Sequence, residues 1–181
     1  MKMRKILVLL LFVASMALFG STINAYFTSG EEVMSVPVQG RLGALDPIIL
    51  NPGMSPVRII LNIQSEMHIQ DTTNDAYQFQ VDVKDRADTQ LFSFTGTHSE
   101  KKEDEGSEFR RITQNHVVGT FDIPLQGPYS VDWRVDPKRA NITSIMVSVR
   151  RNVEGLNIPL IAIAGLCFVL AWTVLLVGRR K

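Results

Sequence analysis

Long apolar segments lie at both ends of the chain, and short alternating patterns fill the region between them. The C-terminal segment, 157–177, contains 21 residues and no charge. As a helix it reaches roughly 31 Å, which matches a hydrocarbon core of about 30 Å. A buried core helix is the alternative, but cores rarely take a helix that is apolar on every face. The pattern therefore predicts a transmembrane helix over 157–177.

The residues around this helix fit a membrane anchor. Trp172 lies near its far end, and Arg179, Arg180 and Lys181 follow it directly. Tryptophan favours membrane interfaces, and basic residues favour the cytoplasmic side. We therefore expect these four residues to anchor the helix, with 178–181 as a basic cytoplasmic tail.

The N-terminal apolar run is shorter. Lys2, Arg4 and Lys5 precede an apolar stretch over 6–20, whose length is typical of the core of a signal peptide. The short polar segment that follows suits cleavage after Ala25. We predict a signal peptide over 1–25, with an uncleaved N-terminal anchor as the alternative. Basic residues precede the N-terminal apolar segment and follow the C-terminal one. Whether or not the signal is cleaved, we therefore expect the middle of the chain to be exported and the C-terminus to stay in the cytoplasm.

The exported region, 26–156, alternates with a period of two. In "YQFQVDVK" (77–84), "YSVDWRV" (129–135) and "SIMVSVR" (144–150), apolar residues face one side and polar residues the other. This is the pattern of half-buried strands. Weaker strands are predicted at 34–38, 57–63, 90–94, 109–113 and 117–123.

Turn-forming residues separate these strands, at 51–53, 71–75, 85–88, 126–128 and 136–137. About eight short strands with no amphipathic helix predict an all-β fold. We expect one antiparallel β-sandwich of jelly-roll or immunoglobulin-like type, followed by a single transmembrane helix. Trp133 alternates with apolar neighbours and is predicted to lie in the core.

Charge and cysteine content indicate which partners and which cellular compartment to expect. The region 26–156 holds 13 Lys and Arg against all 18 acids, so its net charge is −5 and it gives no reason to expect nucleic acid as a partner. The single cysteine, Cys167, falls inside the predicted span, so the exported domain has no disulfide. Exported domains without disulfides are common in bacteria. We therefore expect a cytoplasmic (inner) membrane protein whose domain faces the periplasm.

Signs of catalytic or metal chemistry are few. His68, His98 and His116 are far apart and show no paired ligand spacing. The sequence has no nucleophile elbow, phosphate-binding loop, dinucleotide-binding turn or zinc-protease motif. We predict no enzyme activity, no metal site and no cofactor.

The segments "FDIPLQGPYSVDWRV" and "ITSIMVSVR", followed by a membrane span, carry a resemblance to a known family. They resemble the GOLD-type β-sandwich membrane proteins, which are cargo receptors of the early secretory pathway, over roughly 121–181. Those proteins usually have a cysteine pair in the sandwich and a coiled coil before the anchor, and this chain has neither. The resemblance thus implies the architecture and does not extend to cargo recognition.

Two segments are candidates for contact with a partner. The less regular stretch 46–63 contains two continuous apolar triplets, which fit either a strand buried on both faces or an edge that packs on another protein. The loop 96–108 carries seven charges and fits either a solvated hairpin tip or an electrostatic contact loop. The candidate partner surface is Ile48, Ile49, Leu50, Ile59, Ile60 and Leu61, and the candidate contact loop is Lys101, Lys102, Glu103, Asp104 and Glu105.

These features together predict a membrane-anchored, non-catalytic interaction or accessory module. Its expected partners are the lipid bilayer, through the C-terminal helix, and another exported or membrane protein. A membrane-tethered domain that binds a sugar, a lipid or a metal is the alternative. Two histidines brought within metal-bridging distance would favour that alternative.

Overall fold

The computed structural model describes residues 2–68, 75–100 and 109–177. The chain divides into a helical unit, Met1–Ser29 with Glu154–Lys181, and a β unit, Gly30–Val153. The helices are α1 (Lys2–Thr28) and α2 (Ile158–Val177), and a short 3-10 helix covers Pro52–Met54. The strands are β1 (Glu31–Val38), β2 (Leu42–Ala44), β3 (Ile48–Leu50), β4 (Val57–His68), β5 (Asp75–Lys84), β6 (Gln90–Glu100), β7 (Phe109–Phe121), β8 (Gly127–Pro137) and β9 (Asn141–Arg151).

The β unit consists of two antiparallel sheets. The first has the strand order β1-β9-β4-β7, and the second has the order β2-β8-β5-β6, with β3 also pairing with β8. Most consecutive strands change sheet, whereas β5 and β6 form a hairpin within the second sheet. The predicted antiparallel all-β architecture is therefore confirmed at this coarse level.

Alternation along the strands builds the core between the two sheets. On β8, the buried residues Tyr129, Val131, Trp133 and Val135 alternate with more exposed ones, so the prediction that Trp133 is a core residue is confirmed. Buried residues of β5 and β9 alternate in the same way, as do those of β4 from Ile59 onward, and their apolar members complete one continuous cluster. Because one face of each strand supplies the core, the period of two in the sequence is the main determinant of this fold.

Local hydrogen bonds fix two of the connections. The Asp85 carboxylate accepts hydrogen bonds from the backbone N–H groups of Ala87 and Thr89, which closes the turn between β5 and β6. The Tyr129 hydroxyl donates to the carbonyl oxygen of Leu125 at 2.6 Å, four residues upstream. This contact has the form of the tyrosine corner that holds connections in β-sandwiches.

Several strand boundaries differ from the sequence prediction. The predicted strands 109–113 and 117–123 fall largely in one strand, β7, which ends at Phe121, because polar Gln114 and Asn115 pair with β4 rather than forming a break. The triplet Ile48–Leu50 forms the short strand β3. Strand β6 extends to Glu100, so residues 96–100 of the predicted loop 96–108 are part of a strand, and the remainder of that segment lies outside the described residues.

The helical unit also differs from the prediction, which had a single helix outside the β domain. Two helical segments, Lys5–Thr28 and Ile158–Leu176, are long and apolar enough to cross a membrane by length and composition. Helix α1 continues past Ala25, where cleavage was predicted. The one-helix prediction is therefore corrected to two, because the helix extends beyond the apolar run that defined the predicted signal peptide.

Candidate functional site

Three titratable side chains meet between the sheets. Tyr77 lies on β5 and is paired in register with His98 on β6. His116 lies on β7 in the other sheet, where it is paired with Leu61 of β4. The strands β6 and β7 each end the order of their sheet, so this cluster lies where the two sheets come together at one side.

The geometry within this histidine–tyrosine cluster is close. The Tyr77 hydroxyl and Nε2 of His116 are hydrogen-bonded at 2.6 Å. The Tyr77 and His98 rings stack with centroids 4.8 Å apart, and the His98 and His116 rings lie edge to face at 5.6 Å. Phe79 covers His116, with ring centroids 4.6 Å apart. The cluster is therefore a polar group of three side chains in an aromatic setting.

The surroundings of His116 favour its uncharged form. Burial lowers the pKa of His116 below the ordinary value of 6.5, and the neighbouring His98 lowers it further. Desolvation disfavours the imidazolium form, and a second positive charge nearby would repel it. A neutral imidazole is also the form that binds a metal ion.

The structure brings two of the three histidines together and separates the third. The backbone of His68 pairs with Phe109, seven residues along β4 from Leu61, the partner of His116. Seven residues of strand correspond to about 23 Å. Within the described ranges, no three His, Cys, Asp or Glu side chains are grouped so that they could hold a metal. His98 and His116, with the Tyr77 hydroxyl, form a smaller group of potential ligands.

A second feature is an apolar edge of the five-stranded sheet. Leu42 on β2, Ile49 on β3 and Leu125 just before β8 are 72%, 60% and 73% exposed. Leu42 is paired with Arg134 and Ile49 with Pro128, so both residues lie next to β8. We call these three apolar residues the β2–β3 edge.

The outer face of the same sheet is polar in its middle. Lys84 forms an ion pair with Asp132 at 2.9 Å, and the hydrogen bond to Asp132 raises the pKa of Lys84. The Ser93 hydroxyl donates to the Asp82 carboxylate at 2.6 Å. This face therefore contrasts with the apolar β2–β3 edge at its side.

The predicted partner surface is largely internal. Ile48, Leu50, Ile59 and Leu61 are buried core residues, and they cannot line a surface of the folded domain. In each triplet the first and third residues are buried, whereas the middle residue is more exposed. Ile49 is exposed and Ile60 is half-buried, so only these two remain candidates for a surface.

The other predicted contact residues fall partly outside the described chain. The candidate contact loop, Lys101, Lys102, Glu103, Asp104 and Glu105, lies outside the described residues, as do Arg179, Arg180 and Lys181. Trp172 is exposed on α2. Sequence reasoning missed Leu42 and Leu125 because isolated leucines carry no periodic signal.

Comparisons with known proteins give no functional assignment. No protein family matches the chain, and no curated protein is significantly similar to it. The resemblance to GOLD-type sandwiches thus has no family match behind it, and a function has to be inferred from the residues themselves.

Proposed function

We propose that this protein is a non-catalytic interaction or accessory module that binds another exported or membrane protein through the β2–β3 edge. The observation that supports this proposal is the exposure of Leu42 and Ile49 on the two short strands that pair with β8, together with that of Leu125 just before β8. Single exposed leucines are ordinary on protein surfaces. Leu42 and Ile49 pair with β8 residues six positions apart, and with Leu125 they provide three large apolar side chains, each more than half exposed, for an extended partner segment.

The energetics of burial favour a protein partner at this edge. Fully burying one Leu or Ile side chain contributes about 1.5–3 kcal/mol. These side chains are already partly covered, so burying all three would contribute about 3–6 kcal/mol. That gain is enough to help hold a partner, although association itself has a cost in translational and rotational freedom.

The backbone offers a further means of recognition. Among the described strands, β2 and β3 pair only with β8, so their other side is an unpaired edge. An extended segment of a partner can add to such an edge through main-chain hydrogen bonds, while its side chains meet the apolar residues. The proposed occupant is therefore an extended, partly apolar segment of another protein.

The proposed setting is the cytoplasmic membrane. In this proposal α2, with Trp172 and the basic residues Arg179, Arg180 and Lys181, anchors the chain with its C-terminus in the cytoplasm. The domain, a β-sandwich of jelly-roll or immunoglobulin-like type, would then face the periplasm. The two long apolar helices and the basic residues at both chain ends support this topology.

Site-specific photocrosslinking in native membranes tests the interaction. A photoreactive amino acid replaces Ile49 or Leu42 in one set of variants and Thr113, an exposed polar residue of β7 in the other sheet, in the control. We expect a discrete protein adduct from positions 42 and 49 and none from position 113. Mass spectrometry of the adduct would identify the partner.

The same experiment can overturn the proposal. Equal crosslinking from position 113, adducts to lipid alone, or no adduct from either edge position would each contradict binding at the β2–β3 edge. An Ile49→Ser, Leu125→Ser double variant that keeps the partner in mild-detergent purification would also contradict it.

A second candidate function is metal binding, and the proximity of His98 and His116 favours it. Imidazoles that share one zinc ion bind it at about 2.0–2.1 Å, which places their rings at a separation similar to the 5.6 Å found here. The Tyr77 hydroxyl, already at Nε2 of His116, could supply a third ligand. Such an ion would connect β6 of one sheet with β7 of the other.

Titration with Zn²⁺ and with Cu²⁺ separates the two candidates. Metal binding predicts a 1:1 isotherm for the purified full-length protein that the His98→Ala and His116→Ala variants lose. His68→Ala is the matched control, because His68 lies about 23 Å away along the sheet. Equal loss in the His68 variant, or no binding by the parent protein, would eliminate this candidate.

A further inference from the structure

The two helices of the helical unit make a specific contact. The hydroxyl of Ser15, on α1, donates a hydrogen bond to the carbonyl oxygen of Ala164, on α2, at 2.8 Å. Ser15 is 6% exposed, so this polar side chain is enclosed between the helices. Both residues lie well inside the two segments that are apolar enough to cross a membrane.

The surrounding side chains extend this interface in both directions. Phe12 and Phe168 meet edge to face, with ring centroids 5.1 Å apart. Ala164 and Ala171 are buried, although most residues of α2 are exposed. Small residues at a helix interface let the two backbones approach closely, and a hydroxyl that bonds across it adds stabilisation in a lipid environment.

The β domain independently brings the connected chain ends together. β1, which follows α1, pairs antiparallel with β9, which precedes α2. Glu31 at the start of β1 is paired with Arg151 at the end of β9, and their side chains form an ion pair at 2.6 Å. Within the helical unit, the Ser29 hydroxyl accepts a hydrogen bond from the Glu154 backbone N–H at 2.9 Å. The end of α1 and the start of α2 are thus connected to neighbouring strand ends.

The region of the predicted cleavage site is helical. Ala25 lies within α1, and its carbonyl oxygen accepts a hydrogen bond from the Ser29 N–H at 2.8 Å. The membrane-compatible part of α1 covers 24 residues, which correspond to about 36 Å of helix. That length is sufficient for a full span and exceeds the 15-residue apolar run visible in the sequence.

From these contacts we propose that α1 is retained as a second membrane-spanning helix that pairs with α2 in an antiparallel hairpin. The Ser15–Ala164 hydrogen bond and the Phe12–Phe168 contact form the centre of the pair. Both chain termini then lie in the cytoplasm, where the basic residues at each end favour them. This proposal does not depend on the proposed partner or on a metal.

Two measurements on the full-length protein from native membranes test the hairpin. Intact mass spectrometry is expected to show a chain that retains residues 2–25. In a Cys167→Ala background, a Ser15→Cys, Ala164→Cys pair is expected to form a disulfide under mild oxidation. The matched control is Met16→Cys, Leu166→Cys, whose parent side chains are exposed on the two helices, and it should not crosslink.

Each measurement has an outcome that would overturn the proposal. A mature chain beginning at Tyr26 would show that α1 is removed as a signal peptide. A retained N-terminus without a Ser15→Cys, Ala164→Cys disulfide, or with equal crosslinking in the control pair, would contradict the proposed packing. Neither outcome bears on binding at the β2–β3 edge, so the two proposals fail separately.

Discussion

The hydroxyl of Tyr77 and Nε2 of His116 lie 2.6 Å apart and join the two sheets of the β domain through a polar contact. Tyr77 belongs to β5 in the five-stranded sheet, and His116 belongs to β7 in the four-stranded sheet. Phe79 and His98 pack on the same pair. The contact therefore combines a hydrogen bond with aromatic packing at a position where protonation changes its energy.

We expect the stability of the domain to decrease as the pH falls from about 7 to about 5. The folded protein lowers the pKa of His116, so the unfolded chain binds a proton at a pH where the folded protein does not. Stability is then greatest above the unfolded pKa of about 6.5 and decreases below it. Thermal unfolding of the solubilised protein at several pH values would measure this decrease.

A His116→Gln variant should show a smaller loss of stability over this pH range, because its side chain does not titrate. His68→Gln serves as the control, since it also replaces one histidine by glutamine, at a position seven residues along β4 from Leu61, the partner of His116. An unchanged pH dependence in His116→Gln would contradict the assignment of the effect to His116.

Tyr77→Phe should destabilise the domain by about 1–3 kcal/mol, because it removes the hydrogen bond to His116 and keeps the aromatic ring in the core. Chemical unfolding followed by Trp133 fluorescence would measure the free energy of unfolding. A Trp172→Phe background leaves Trp133 as the single tryptophan of the chain. A change below about 0.5 kcal/mol, the usual scale of surface substitutions, would mean that the hydrogen bond contributes little.

Leu61→Ala and Ile49→Ala should have opposite consequences for stability and binding. Leu61 is fully buried, so its truncation should cost about 2–5 kcal/mol of unfolding free energy. Ile49 is exposed, so its truncation should change stability by about 0.5 kcal/mol or less while it weakens partner recovery. Unfolding and co-purification of each variant would separate a core role from a surface role.

Gly119→Ala should destabilise the domain by about 1–3 kcal/mol through overpacking. A Cβ at this position would overlap the Phe92 ring, which also stacks on Phe121 at 5.4 Å. Gly127→Ala is the control, because a Cβ there meets nothing within 4 Å. Equal unfolding midpoints for the two variants would show that the Phe92 ring moves aside without cost.

The period of two was sufficient to predict most strands and the inward direction of their apolar residues. It could not predict that 109–113 and most of 117–123 belong to one strand. Polar residues between two alternating segments fit a turn and also fit the polar face of one continuous strand. The period of two also misassigned the apolar triplets, since burial of Ile48 and Leu61 depends on which strand covers them. The pattern along one strand shows which residues share a face, but the pairing between strands determines which residues that face contacts.

The candidate sites depend still more on pairing. His98 and His116 are 18 positions apart, and nothing in their spacing predicts the 5.6 Å between their rings. They meet because β5 pairs with β6 and because β6 and β7 lie in different sheets that face each other. The length of α1 was likewise underestimated, since Ser21, Thr22 and Asn24 interrupt the apolar run without ending the helix.

The pairing of β1 with β9 also has a mechanical consequence. The two strands are antiparallel neighbours, and the segments that lead to α1 and α2 leave them at the same end, at Glu31 and Arg151. Hydrogen bonds between antiparallel strands run perpendicular to the strand direction. A force that separated the two helices would therefore break these bonds one after another, starting with the Glu31–Arg151 pair, rather than all at once. The domain should therefore offer little resistance to such a force. Lateral separation of the helices would detach β1 from β9 before the core between the sheets is disrupted.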